Sequence, residues 1–128
     1  SLREAWRDGA MAYVGITTAG FPNLFQLYGP NTNQGTILYM IESQVAYVVR
    51  KMQAMWANGW RWIDVSHEAM AAYNQAIQRD ARKIDVWWGD CANYYQSGSG
   101  RLVTQYPHKM ADYRSATSQD DSEAFEFG

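Results

Sequence analysis

Cysteine and histidine are both scarce in this 128-residue chain, and each scarcity closes off a class of function. A single cysteine, Cys91, cannot form an internal disulfide. The opening SLREAWRDG is not a charged stretch leading into an apolar one, so a reducing, cytoplasmic setting is expected. His67 and His108 lie far from each other and from Cys91, which leaves no metal-ligand spacing; both read as surface residues. Cys91, between Asp90 and Ala92, reads as a small packed residue whose thiolate is disfavoured. Asp64 and Glu68 are four apart but fall on a strand and a helix, which does not make a catalytic carboxylate pair. No run of about 18 apolar residues marks a membrane span. With 11 Lys and Arg against 13 Asp and Glu, the net charge of −2 offers no basic footprint for nucleic acid. A glycine-rich dinucleotide turn is also missing.

What is present is apolar and aromatic. Hydrophobic residues at 47% and charged residues at only 19% exclude general disorder. A chain of this length can bury roughly 70% of its unfolded surface in one core. Six Trp and nine Tyr are many for that length, and such rings mean packing more often than a ligand cage. Trp56, Trp60, Trp62, Trp87 and Trp88 are therefore expected in a core or a domain interface. No repeat or linker divides the chain, so 1–128 reads as a single unit.

The pattern predicts a short helical turn over 2–6, a short strand over 13–17, and a mostly apolar strand of the buried kind over 23–28, stopped by Gly29 and Pro30. A long helix over 36–57 follows, with Ile37, Ile41, Val45, Val48, Met52 and Met55 as its apolar stripe and Asn58-Gly59 as its stop. Residues 61–65 alternate like a short strand. Ser66 caps a second helix carrying Met70, Tyr73, Ile77 and Ile84 on one face and ending near Lys83. A hairpin is expected between 93–96 and 102–106 around Gly98-Ser99-Gly100, then a last helix over 108–117. The acidic end, 118–128, is either frayed and flexible or docked through Phe125 and Phe127.

The run GFPNLFQLYGPNTNQGTILYMIESQ is the most informative stretch, because strand, turn and helix follow with almost no spacer. A helix starting near 33–36 offers unpaired N–H groups and partial positive charge to an anion or an electron-rich carbonyl. That field is worth about 0.3–1 kcal/mol when exposed and up to about 2 when partly buried, enough to tune a ligand but not to hold it. By its residues alone, GPNTN is equally a turn followed by an N-cap.

The block GFPNLFQLYGPNTN, then MIESQ followed by Tyr47, then VWWGDCANYYQSGSGRLVTQYP with Tyr113 beyond, resembles the C-terminal region of class B flavoprotein monooxygenases of the Baeyer–Villiger type, and among them the relatives of 4-hydroxyacetophenone monooxygenase. The resemblance runs from about Trp6 to the Phe-rich end. It implies an α/β fold: the C-terminal fragment of a FAD-binding Rossmann-like domain, with its terminal strand, a long helix, a second helix and an aromatic hairpin. It also implies FAD and NADPH as cofactors of the parent protein, oxygen insertion next to a ketone carbonyl, and a missing N-terminal FAD- and NADPH-binding portion as partner. Carried over by position, the flavin-facing residues are Gly29, Pro30, Asn31, Thr32, Asn33, Gln34, Gly35 and Thr36. Gln34-Gly35 runs straight into the helix, where many relatives have extra spacing, so the loop over the ring is expected to be shorter. The family's catalytic arginine lies upstream. Arg3, Arg7 and Arg50 lack its context, and no residue here is assigned catalysis. The isolated chain is expected to turn over nothing and to self-associate. Two alternatives stand beside this reading: N- or S-oxygenation on the same scaffold, and a stand-alone protein-interaction module with an aromatic face.

Overall fold

A computed structural model describes residues 1–88 and 94–128. The elements in chain order are α1 (Leu2–Ala5), α2 (Ile37–Asn58), β1 (Ile63–Val65), α3 (His67–Ala81), α4 (Met110–Ser118) and β2 (Phe125–Phe127), with single 3-10 turns at Asp85–Trp87 and Ser122–Ala124. The helix boundaries follow local chemistry. α2 begins after Thr36 in extended backbone and stops where Gly59 takes φ 67°, its N–H returning to the Met55 and Trp56 carbonyls. The Ser66 hydroxyl accepts from the Ala69 N–H to start α3, and the Asp112 carboxylate accepts from the Lys109 N–H at the start of α4.

The expected buried strand over 23–28 does not form. Asn23 and Tyr28 both take left-handed backbone, at φ 61° and 55°, and the segment threads irregularly past the 13–17 turn, the Gln26 N–H bonding the Ile16 carbonyl. A buried strand needs neighbours on both edges. The only sheet among the described residues is the antiparallel pair β1 and β2, with Ile63 opposite Phe127 and Val65 opposite Phe125. Asn23 serves that sheet's edge instead: its amide donates to the Arg61 carbonyl and its side-chain oxygen accepts from the Ile63 N–H. Residues 13–17 are likewise not a strand but a tight turn closed by a Tyr13 to Thr17 bridge, with Val14 and Gly15 at positive φ. Among the described residues the terminal strand of a parallel sheet is thus absent, and parallel pairing is limited to one bridge, Asn33 with Gln105.

The chain end is docked. β2 covers β1, Trp60 stacks on Phe127 with centroids 4.0 Å apart, and the Gly128 carbonyl takes the Arg61 and Trp62 N–H groups. The hairpin reduces to a bridge from Gln96 to Leu102, with Ser97 and Arg101 paired across the tip; Asn93, its expected first residue, lies outside the described residues, as does Cys91.

α2 inverts the expected burial. Its inward positions are Met40, Ser43, Gln44, Tyr47 and Lys51, while Ile37, Val45 and Met52 of the predicted stripe are exposed and Ile41, Val48 and Met55 half-buried. The buried polar groups all find partners. Gln44 accepts from the Tyr28 N–H and donates to the Tyr113 hydroxyl. Lys51 donates to Asp121, which also accepts from the Tyr47 hydroxyl at 2.6 Å, and the ammonium lies 4.0 Å from the Phe125 ring centroid. Satisfied polar groups let this face pack inward. A core of Val14, Ile16, Tyr47, Ile63, Val65, Met70 and Phe125 therefore packs on this face of α2 around Tyr47, and a smaller one of Met40, Ile77, Tyr106 and Tyr113 on the same face around Met40. The stripe Leu38, Val45, Val49, Met52 and Trp56 faces outward, Trp56 being 91% exposed.

Candidate functional site

Residues 29–33 form a loop pinned from below. Asn31 takes φ 57°, which turns its amide onto the Leu102 and Gln105 carbonyls at 3.0 and 3.1 Å, while the Asn31 and Asn33 N–H groups bond the Val103 and Thr104 carbonyls. The Thr32 hydroxyl donates to the Gly29 carbonyl at 2.7 Å, and the Tyr28 hydroxyl donates to the Asn33 side chain at 2.8 Å. This second hydroxyl sits beside Tyr94, and partial burial followed by that neighbour raises its pKa above the ordinary phenol value. The loop is held on both sides by the returning limb of the hairpin.

Above the loop lies an open cavity of about 390 Å³. Gly29, Pro30, Thr32 and Asn33 form its polar floor; Trp6, Leu27, Tyr94 and Val103 form apolar walls. The volume is at the lower end of the roughly 300–1,000 Å³ usual for small-molecule sites, which suits one end of a large ligand. Thr104, also in the wall, has a buried hydroxyl without a partner, and Asn31 beneath has a buried carbonyl oxygen in the same position. Among the described lining residues none is His, Cys, Lys, Asp or Glu, and the ionisable side chains are the phenols of Tyr28 and Tyr94.

The eight sequence-predicted positions divide. Gly29, Pro30, Thr32 and Asn33 line the cavity, and Asn31 braces them from below. Gln34, Gly35 and Thr36 do not reach it: the Gln34 amide donates to the His108 carbonyl at 2.7 Å, and the Thr36 N–H points to the Met110 sulfur at 3.2 Å. The first turn of α2, with Gly35, Thr36, Ile37 and Leu38, faces solvent. Two glycines in this stretch answer to packing. A Cβ on Gly29 would lie 2.2 Å from the Gly15 carbonyl oxygen, and one on Gly35 would lie 2.3 Å from the Met110 sulfur. Trp6, Val103 and Thr104 were not legible as site residues, because they join the cavity only through the contact of the hairpin with the chain start, and Leu27 read as part of a buried strand. Tyr94 stood in the flagged aromatic segment.

His67 and His108 are both exposed, His108 pairing with Asp80 at 3.1 Å. The Asp64 carboxylate accepts from the Gly20 N–H at 3.0 Å, and Glu68 is exposed. Among the described residues no three His, Cys, Asp or Glu gather as a metal site, and no helix is long and apolar enough to cross a membrane.

Comparison with known proteins gives the cavity a context. No family model matches the chain. A Baeyer–Villiger monooxygenase of Pseudomonas aeruginosa is 41% identical over 97% of this chain and 24% of its own length. A phenazine N-monooxygenase of Lysobacter antibioticus is 39% identical over 68% of this chain and 17% of its own. In structure, cyclohexanone monooxygenase from Rhodococcus sp. Phi1, solved bound to NADP+, superposes with a TM-score of 0.86 at 25% identity, covering 98% of this chain and 25% of that one. The described α/β arrangement is thus one that Baeyer–Villiger monooxygenases contain. The chain spans about a quarter of the length of such relatives. Over nearly all of its residues this chain is homologous to a segment of the Baeyer–Villiger monooxygenases.

Proposed function

We propose that this chain is the C-terminal, flavin-covering part of an FAD- and NADPH-dependent monooxygenase that inserts oxygen next to a ketone carbonyl. The observation that carries the reading is homology along 97% of the chain to a Baeyer–Villiger monooxygenase, with the 29–33 loop on the floor of an open cavity. Gly29, Pro30, Thr32, Asn33 and Thr104 would meet the flavin ring. Asn31 would hold their backbone in place, and Gln34, Gly35 and Thr36 would lead into the exposed first turn of α2 near the cofactor's electron-rich edge. When bound, the flavin supplies the redox and oxygen chemistry. This chain's residues bind, orient and exclude water, and none is assigned catalysis. The outward stripe of α2, from Leu38 to Trp56, is the face that the FAD- and NADPH-binding portion of the parent would cover.

A protein carrying this segment with its upstream portion should consume NADPH and oxygen and convert a ketone to an ester, while the 128-residue chain alone does neither. Failure to convert any of a panel of cyclic, aryl and open-chain ketones sinks the reading. The likeness to a phenazine N-monooxygenase favours one second reading, N-oxygenation on the same scaffold. An N-oxide from a heteroaromatic substrate, with no ester from any ketone, would select it.

A further inference from the structure

On the flank of α3, away from the 29–33 loop, lies a cavity of about 340 Å³ whose described lining residues include three arginines and no carboxylate. Arg79 comes from α3 and Arg82 is the residue that caps its end, so that 75, 78, 79 and 82 follow one another along one side. Arg101 comes from the returning limb of the hairpin. Its guanidinium is half-buried and held: one terminal nitrogen donates to the Asn74 side-chain oxygen at 2.6 Å, and Nε reaches the Ala10 carbonyl at 3.4 Å. Asn74 is itself buried and fixed, its amide donating to the Ala12 and Met70 carbonyls. Gln78 is fixed as well, bonded in both directions to the Leu102 backbone.

The charges at this cavity do not balance among the described residues. Arg79 shares Asp80, at 3.3 Å, with Lys83 and His108. Among the described residues no carboxylate lies within ion-pair distance of Arg82 or Arg101. Burial lowers the pKa of Arg101, as expected of a cation set in the protein without a counter-charge. A guanidinium uses only part of its five-donor fork on Asn74 and Ala10, and the rest remains for an acceptor in the cavity. Two uncompensated cations match the roughly −1.5 to −2 charge of a phosphate monoester better than the single charge of a carboxylate.

We propose that Arg82 and Arg101, with Arg79 at the rim, form a binding site for a phosphate monoester dianion. The assignment is independent of the flavin reading, because it uses none of the same residues. Inorganic phosphate is the probe, titrated into the 128-residue chain at pH 7.5 and constant ionic strength and followed by amide shifts and calorimetry. Saturable one-to-one binding is expected, with shifts at Gln75, Gln78 and Arg101, competition by sulfate, and weaker binding of acetate. Arg82→Gln, whose side chain holds no part of the fold, should weaken phosphate about tenfold with an unchanged circular dichroism spectrum. Arg101→Lys, which keeps the charge but loses the fork, should also weaken it. Phosphate binding no stronger than chloride, acetate binding equal to phosphate, or an Arg82→Gln variant with unaltered affinity would each overturn the proposal. Should Arg101→Lys fail to fold, Arg82→Gln carries the test alone.

Discussion

Gly29, Gly59 and Gly98 are glycine for different reasons, and alanine substitution separates them. At Gly29 an added Cβ meets the Gly15 carbonyl oxygen at 2.2 Å, backbone against backbone, so Gly29→Ala should cost about 2 kcal/mol by overpacking. At Gly59 nothing lies within 4 Å, but φ is 67°, and Gly59→Ala should cost about 1 kcal/mol from backbone strain alone. Gly98 has neither constraint and should change stability by less than about 0.5 kcal/mol. Urea unfolding of the three variants checks the order; equal losses would mean that the loop packs otherwise. Asp121 is the other telling single residue, since it neutralises Lys51, accepts from Tyr47 and ties the end of the chain to α2. Asp121→Ala strands a nearly buried ammonium and should destabilise by about 3 kcal/mol, whereas replacing both charges with apolar residues should recover much of that loss.

Among the elements, the helices were the most legible. The start and stop of α2, the Ser66 cap and the α4 region all follow from residues within a turn of each boundary, and local signals of that kind survive whatever the rest of the chain does. The 23–28 strand was not legible, because a short apolar run carries no information about whether neighbours exist to pair with it; here Asn23 and Tyr28 take left-handed backbone instead. The inward face of α2 was also misread from its periodicity. Met40, Gln44, Tyr47 and Lys51 do share one stripe, but its polar members are buried only because Tyr28, Tyr113 and Asp121, distant in sequence, supply their partners. Of the site, the 29–33 loop could be read and its far wall could not: Trp6 and Thr104 reach it only through tertiary contact. The outward stripe of α2 carries an element-scale prediction. The chain should associate at micromolar concentration, and Met52→Ser with Trp56→Ser should shift it toward monomer in sedimentation velocity. A chain that is monomeric at every concentration would show that this face does not need cover.

At the scale of the molecule, burial of tyrosine sets the alkaline limit. Burial, then the charge of Asp121, raises Tyr47; burial also raises Tyr13, Tyr73 and Tyr113, and brings Tyr106 to about 12 from its ordinary 10.0. Phenols whose folded pKa exceeds the unfolded value give stability that is complete below pH 10 and declines as pH rises through about 12. Melting temperature should therefore be flat to about pH 9.5 and then fall, with the phenolate absorbance of these five rings appearing in step with unfolding. Early absorbance from a still-folded chain would place more of these rings in solvent. The same global packing sets the 29–33 loop against the hairpin, and on it rests the claim that this chain is one wall of a flavin site. That claim is tested most directly by adding FAD to the isotope-labelled chain and following its amide resonances. Perturbations at Gly29, Thr32, Asn33 and Thr104, and at Gly35 and Thr36 in the start of α2, growing with FAD without tight saturation, are the predicted result. Unmoved resonances at those six positions, with shifts elsewhere or nowhere, would contradict it.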